Sequence, residues 1–350
     1  ALGIIVIALN FLPTWQFVGR SLVITEIAGP GFMKINTTFR KTYRRALAIY
    51  ISLTAIQYAL LRISGLNKSD SLITSLSNIS TAGLMNLNNG NIISYGLAVK
   101  IIITTFAFMS SLNFSILLLA TMKKFRELTE GPELKFHAGR ILTTTIFITG
   151  ILYITYNRTL SSLKEFGNVL MQVISYFTTA GYQISDTNGW PGAACAIILI
   201  QMFIGACAIS SGGGIKAART IIALKTSSRT LYHHIHKNAI RPIKYAGTPL
   251  KLNTLLRCNL YIVMFVVTFL FGALILSINL DLNTALNTSL AMLTNTGTYI
   301  NQTATPGIID DYSIVSKITM MFLMLAGRLE IYPVILIFFK SFWKNDNDLL

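Results

Sequence analysis

The sequence predicts an all-α membrane protein that repeats one unit, two spans enclosing a short re-entrant helix. Three observations carry this. Of the 350 residues, 53% are hydrophobic and only 12% are charged, where a soluble chain of this length carries about a quarter charged residues. The positive charge falls in alternate segments. Three short apolar stretches each run into small residues that end on a glycine.

A bilayer core needs about 20 apolar residues of helix. The runs that meet or approach this are Leu47–Ile63, Leu97–Leu119, Ile141–Tyr156, Gly192–Ala223, Leu260–Ile278 and Tyr312–Phe339. Leu2–Leu12 is a partial run at the start of the chain, with no charged segment or cleavage site before it. It reads as the end of a span rather than as a signal peptide.

Net charge is +16, from 29 Lys and Arg against 13 Asp and Glu. The basic residues gather in Arg20–Arg45, Lys123–Arg140 and Lys216–Arg257, with the apolar runs between them. With these segments and Lys340 and Lys344 inside, 22 basic residues face the cytoplasm. Six face out: Arg62, Lys68, Lys100, Arg158, Lys164 and Lys317. Such a bias orients the chain in the membrane. A nucleic-acid groove would interleave basic and aromatic residues on one surface, and this chain does not, so membrane lipid is the expected partner and nucleic acid is not.

The outer segments hold the short stretches Leu72–Ile79, Phe166–Phe177 and Thr284–Leu293. The runs after them are Ser80-Thr81-Ala82-Gly83, Thr178-Thr179-Ala180-Gly181 and Thr294-Asn295-Thr296-Gly297. A short helix that enters, turns on glycine and leaves by the same side is re-entrant. Bare backbone at that depth is tolerated where it lines a water-filled cavity. The three glycines stand 98 and then 116 residues apart, so one unit recurs three times.

A cation crossing a bilayer must exchange water for other oxygen ligands, and a ring of backbone carbonyls can supply them. Glycine permits the positive φ such a backbone needs. A half-helix whose C-terminus points inward adds partial negative charge. Three units supply three quarters of a ring.

Phe177-Thr178-Thr179-Ala180-Gly181-Tyr182 resembles the third selectivity filter of the Trk/Ktr/HKT potassium transporter superfamily. Ser80–Leu84 resembles the second filter and Leu293–Thr298 the fourth, with Leu84 and Thr298 departing from the usual residue after the filter glycine. Met202–Lys216, with Gly212-Gly213-Gly214-Ile215-Lys216 at its end, resembles the family's intramembrane gating loop. Ala326-Gly327-Arg328-Leu329-Glu330-Ile331 is similar to its final-span signature. The match runs in order over the chain. It is that of a pore subunit (TrkH/KtrB-like) lacking the first repeat, whose last span Leu2–Phe11 resembles. A fragment, or a fourth unit from another chain, would account for this.

The resemblance implies M1–P–M2 units in a pseudo-fourfold, K+-channel-like arrangement. It implies potassium as the transported ion, a bacterial inner membrane location, a homodimer and a cytosolic nucleotide-binding (TrkA/KtrA-like) regulatory ring. The expected division is 1–45, a span end and linker; 46–122, the second repeat; 123–225, the third, with the gating loop at 205–214; 226–256, a basic cytoplasmic loop; 257–344, the fourth; and 345–350, a tail. Thr226–Lys251 is a plausible docking segment for the ring. A Na+-permeable member, or a non-conducting scaffold, stays open as an alternative.

The gate can also be argued from the residues. Gly192–Ala223 is 32 residues, about 48 Å if helical, against a core of about 30 Å. Gly205, Ser210, Ser211, Gly212, Gly213 and Gly214 mark where the helix breaks. Lys216 comes one residue too late for a phosphate-binding loop. A glycine-rich packing face is the alternative. Arg328 lies deep in the last span, where a charge costs roughly 2.5–3.5 kcal/mol, and Glu330 is on a different helix face. It is expected beside the loop, bonding carbonyls or repelling cations, or else in a charge pair between helices.

Cys195, Cys207 and Cys258 read as small buried residues without disulfides. His233, His234 and His236 read as a solvated loop, and His137 as another cytoplasmic residue. The outer acids Asp70, Glu165, Asp186, Asp281, Asp310 and Asp311 either concentrate cations or are ordinary loop residues. No nucleophile–base set or paired carboxylates occupy a span, so no enzyme and no organic cofactor are expected.

Overall fold

The computed structural model describes residues 39–83, 92–121, 131–156, 162–187, 189–208, 210–236, 242–297, 312–329 and 331–336. Leu2–Phe11, Leu84, Thr298, Asp310, Asp311 and Glu330 lie outside the described residues.

The first long helix is α1 (Phe39–Ile63), followed by the short α2 (Lys68–Ser80) and by α3 (Leu97–Ser111) and α4 (Phe114–Thr121). Next come α5 (Pro132–Thr155), the short α6 (Ser162–Phe177), α7 (Gly192–Ile204) and α8 (Ala217–Ile235). A small antiparallel hairpin, β1 (Lys244–Tyr245) and β2 (Thr248–Pro249), pairs Lys244 with Pro249 and Tyr245 with Thr248. The last group is α9 (Leu252–Leu276), the short α10 (Leu282–Leu293), α11 (Ile314–Leu329) and α12 (Ile331–Leu336). Neighbours in the chain pack on one another: α2 on α1 and α3, α6 on α5 and α7, α10 on α9 and α11.

The chain is apolar outside and partly polar inside. On α9 the exposed stripe is Leu260, Val263, Val267, Leu270, Phe271, Leu274 and Ile278 at its end. The opposite face buries Leu255, Cys258, Tyr261, Phe265, Phe269 and Leu276. Such a stripe is stable where the solvent is lipid. Within, the short helices turn Ser71, Thr74, Ser75, Asn78, Thr288 and Ser289 inward, all buried. Among the described residues, α5 and α9 are long and apolar enough to cross a membrane; Leu47–Ile63, α3 and α7 are shorter apolar helices.

Two expectations are corrected. Leu97–Leu119 is not one helix, because Leu112 is extended at ψ 153°. Ser110 and Ser111 donate to the carbonyls of Ala107 and Phe108 at 2.8 and 2.7 Å, and the Ser111 carbonyl accepts from the Cys207 N–H at 3.1 Å. The helix end therefore bonds to another segment instead of continuing. The segment 226–256, expected as a loop, begins as helix through Ile235 and then forms the hairpin, with Tyr245 buried. His137, expected only as a residue of a cytoplasmic segment, is fully buried on α5.

All three cysteines are free and buried. Among the short helices, Asp70 and Glu165 stand in the first turns of α2 and α6, and Asp281 caps α10 by accepting from the Thr284 N–H at 3.2 Å. Negative charge is favourable at a helix N-terminus, so these acids have a local structural role. The bond from Thr284 holds the Asp281 carboxyl below its ordinary range.

Candidate functional site: three glycine turns and the loop beneath them

Each short helix ends in the same turn. Thr81, Thr179 and Asn295 adopt the left-handed region at φ 48°, 56° and 57°. Their N–H groups donate to the carbonyls of Asn78, Tyr176 and Met292, each at 3.1 Å. The next N–H groups, of Ala82, Ala180 and Thr296, reach back to Ser77, Ser175 and Ala291 at 2.9, 3.1 and 2.9 Å. This pair of bonds is the Schellman closure of a helix C-terminus. Glycine usually takes its left-handed position. Here two threonines and an asparagine do, at a cost of about 1–2 kcal/mol each. Such strain persists where surrounding packing enforces it, and it concentrates at functional sites.

Two residues later the glycine is again left-handed: Gly83, Gly181 and Gly297 at φ 67°, 74° and 77°. Ala82, Ala180 and Thr296 between them are not. Alternating handedness turns successive carbonyls toward the same side of the strand. Sequence reasoning expected positive φ at the glycines but not at Thr81, Thr179 and Asn295. The turns converge: a Cβ placed on Gly83 would lie 3.2 Å from the Thr296 carbonyl oxygen and 3.4 Å from that of Ala180. The turn Thr178–Gly181 is buried throughout, whereas Ala82 and Gly297 are exposed. The segment leaving the turn at Thr178–Gly181 is pinned by α6, where Gln172 and Ser175 accept from the N–H groups of Ile184 and Tyr182, both at 2.7 Å.

Between α7 and α8 the chain leaves the helix at Gly205 and re-enters at Ala217. The two arms close into a neck. Ala206 N–H donates to the Gly213 carbonyl at 3.3 Å, Ile215 to Phe203 at 2.9 Å and Lys216 to Ile204 at 3.0 Å. Gly205 and Gly214 are back to back in this neck, where a Cβ on Gly214 would approach the Gly205 Cα to 2.7 Å. Lys216 folds its ammonium onto the loop's own carbonyls, Gly212 at 2.8 Å and Ser210 at 3.2 Å.

The loop touches all three turns. The Thr81 hydroxyl donates to the Ser211 carbonyl at 2.8 Å. Gly213 N–H donates to the Thr179 hydroxyl at 2.8 Å. A Cβ on Gly212 would come 3.1 Å from the Thr178 carbonyl, and one on Gly213 would overlap the Thr294 carbonyl. Arg328, at the end of α11, spans the seam: Nη1 donates to the Ser211 carbonyl at 3.3 Å and Nη2 to the Ser80 carbonyl at 3.1 Å. The residues singled out from sequence for the filter and gate thus fall in one contiguous cluster. Ser210 contributes a bond within the loop, to the Cys207 carbonyl at 2.6 Å.

Behind Arg328, Gly327 presses on the turn that follows α10, where a Cβ would strike the Leu293 carbonyl and come 2.6 Å from the Asn295 amide. Alanine normally favours a helix over glycine by about 1 kcal/mol, but backbone overlap of this kind costs roughly 1–3 kcal/mol. Gly327→Ala should therefore lower the melting temperature in detergent, whereas Gly139→Ala on α5, with open space around it, should hold or raise it.

A polar face on α5 was not expected from the sequence. Glu133, His137 and Arg140, all buried, follow i, i+4, i+7 spacing. Arg140 donates to the Gly205 carbonyl at 2.7 Å and lies over the Phe177 ring at 4.7 Å. His137 links Arg140 at 3.1 Å to the Ser111 hydroxyl at 3.2 Å. Glu133 accepts from Ala208 N–H at 3.2 Å and Asn113 Nδ2 at 3.3 Å, and from the Tyr245 hydroxyl. Burial, reinforced by the Glu133 carboxylate, pushes the Tyr245 phenol far above its ordinary range, so it remains a donor. Three polar residues on one face at the start of an apolar helix were a legible signal. His233, His234 and His236 lie at the end of α8, and no metal-holding cluster of His, Cys, Asp or Glu occurs among the described residues.

The sequence matches the family described as TrkH, cation transport protein, over residues 3–346. It is 28% identical to the Trk system potassium uptake protein TrkH of Halomonas elongata, covering 98% of this chain and 71% of that protein. The protein of that name from Escherichia coli is 26% identical with the same coverage. The crystal structure of the potassium transporter TrkH from Vibrio parahaemolyticus superposes with a TM-score of 0.79 at 24% identity, over 89% of this chain and 67% of that one. That likeness establishes the fold as one of a membrane transporter. The family is one of transport proteins and not of enzymes. With its family match running nearly end to end, the chain belongs to the TrkH family of cation transport proteins.

Proposed function

We propose that this chain is the pore subunit of a Trk-type potassium uptake system. Potassium passes along the carbonyls of Ser80–Gly83, Thr178–Gly181 and Thr294–Gly297, and the loop 205–214 with Lys216 and Arg328 closes the path beneath them. The observation that carries the reading is the convergence of three identically closed turns, with the loop bonded to two of them and packed against the third. Carbonyl rings replace the hydration shell of a potassium ion. The C-terminal ends of α2, α6 and α10 contribute negative potential at the same place.

In this reading, residues 46–122, 123–225 and 257–344 are M1–P–M2 units of a pseudo-fourfold pore. They stand in a bacterial inner membrane, within a homodimer surrounded by lipid. A TrkA-like nucleotide-binding ring docks on the basic cytoplasmic segment Thr226–Lys251. The names of the relatives, which are potassium uptake proteins of Trk systems, support the ion and membership of such a system.

The test is uptake of K+ and Na+ by cells lacking their own potassium uptake, with wild type beside Gly181→Ser. At φ 74° a serine strains the third turn by about 1–2 kcal/mol. Wild type should take up K+, and the variant should lose roughly tenfold or more of its preference for K+ over Na+, since every 1.4 kcal/mol is tenfold. A well-inserted wild type without flux, even with the regulatory ring supplied, would sink the transport reading. Na+ flux of equal size in the wild type would make it a sodium-permeable pore.

A further inference from the structure

The loop is held on one side by the turns and by Arg328, and its first arm on the other by Arg140 on the Gly205 carbonyl, the Ser111 carbonyl on Cys207 N–H and the Glu133 carboxylate on Ala208 N–H. Glu133 is buried at the cytoplasmic start of α5. Its Oε2 accepts from Ala208 N–H, in the arm that descends from the Gly205 neck, and from Asn113 Nδ2 in the break between α3 and α4. Its other oxygen, Oε1, accepts from the Tyr245 hydroxyl. Tyr245 belongs to β1, and its side chain is 2% exposed. Its ring packs with Ile243, Leu255, Cys258, Ala218, Ile221 and Ile222.

The hairpin is tied a second time, to α8, the helix that follows the loop. Lys225 Nζ on α8, nine residues after Lys216, donates to the Lys244 carbonyl at 2.9 Å. The hairpin is therefore tied to the loop's first arm through a buried carboxylate, and separately to α8 through a backbone carbonyl. All three partners donate to Glu133, and a carboxylate accepts all three at once, whereas a neutral amide keeps Ala208 and Asn113 on its oxygen only by reversing the Tyr245 bond and giving up the charge. Charge-assisted bonds of this type are about twice as strong as neutral ones.

We propose that Glu133 is a positioning residue that sets the descending arm of the loop, and that Tyr245 couples that arm to the cytoplasmic hairpin. A displacement of the hairpin would reach Ala208 through two hydrogen bonds, without passing through the helices. The inference rests on the reading of 205–214 as a gate only for its consequence in flux; the mechanical tie stands or falls separately.

The experiment is hydrogen–deuterium exchange of the full chain in lipid nanodiscs, with K+ flux measured on the same preparations. The variants are Glu133→Gln, Tyr245→Phe, the double variant and Arg328→Gln. Glu133→Gln and Tyr245→Phe should each speed exchange of the amides at 205–208 about tenfold, the size of a lost charge-assisted bond. The double variant should go no further than Glu133→Gln, because the two residues act through one link. Exchange at Thr178–Gly181 should not change. A general structural loss would instead speed the loop and the third turn together. Unchanged loop exchange in Tyr245→Phe, or effects that add in the double variant, would overturn the coupling. Faster loop exchange with unaltered flux in every variant, Arg328→Gln included, would leave the tie standing and remove the gate reading.

Discussion

Gly213→Ala should open the path or prevent the loop from seating at all. The added Cβ would overlap the Thr294 carbonyl carbon and oxygen, which belong to the turn after α10, where Thr294 is itself buried. Neither atom can yield cheaply, because Thr294 N–H and hydroxyl are both bonded to the Leu290 carbonyl at 2.8 Å. Gly213 does not have positive φ, so alanine meets no backbone strain and the effect is steric. Overpacking of this kind costs roughly 1–3 kcal/mol, which corresponds to about 5- to 100-fold in the balance between seated and displaced loop. K+ uptake per inserted molecule should rise by that factor. Gly139→Ala is the control, since nothing lies within 4 Å of its added atom. Uptake equal to wild type in Gly213→Ala, at normal insertion, would mean that the loop does not obstruct the path.

Arg328→Gln should act in the same direction by losing attraction instead of adding repulsion. The guanidinium joins Ser211 on the loop to Ser80 at the end of α2. These partners are 117 and 248 residues away in sequence. A hydrogen bond from a charged donor contributes about 1.5–3 kcal/mol. Glutamine can reach at most one of the two carbonyls, so the closed arrangement loses about one such bond, and flux should rise roughly 10- to 100-fold. Arg328→Lys keeps the charge but loses the fork that spans two acceptors, and should fall between wild type and glutamine. If lysine restored wild-type flux fully, the positive charge alone would be closing the path and the two-point clamp would be wrong. Flux unchanged in both variants would remove Arg328 from the gate.

These two variants separate contributions that a single loss-of-function variant would merge. Gly213 tests whether the space between loop and turn is filled, and Arg328 tests what holds it filled. Lys216 closes the same loop from within, on the carbonyls of Ser210 and Gly212.

Much was legible in the sequence because the signals involved are local. Hydropathy along Leu252–Leu276 and the alternation of basic segments are one-dimensional consequences of a bilayer, and they indicate the membrane class. Glycine at 83, 181 and 297 marks the positive φ that the three turns adopt. The excess length of Gly192–Ala223, together with its glycines, marked a break that the structure places at Gly205–Lys216.

Tertiary structure alone decided the features that depend on distant partners. Thr81, Thr179 and Asn295 are left-handed although their residue types disfavour it, because the surrounding turns and loop enforce it. The helix from Leu97 stops at Ser111 because its terminal carbonyl bonds to Cys207, 96 positions along the chain. His137 looked like a residue of a basic cytoplasmic segment, yet α5 extends back to Pro132 and carries it into the interior beside Glu133 and Arg140. Each of these is set by contacts between segments far apart in sequence, and neither hydropathy nor propensity of the local run encodes them.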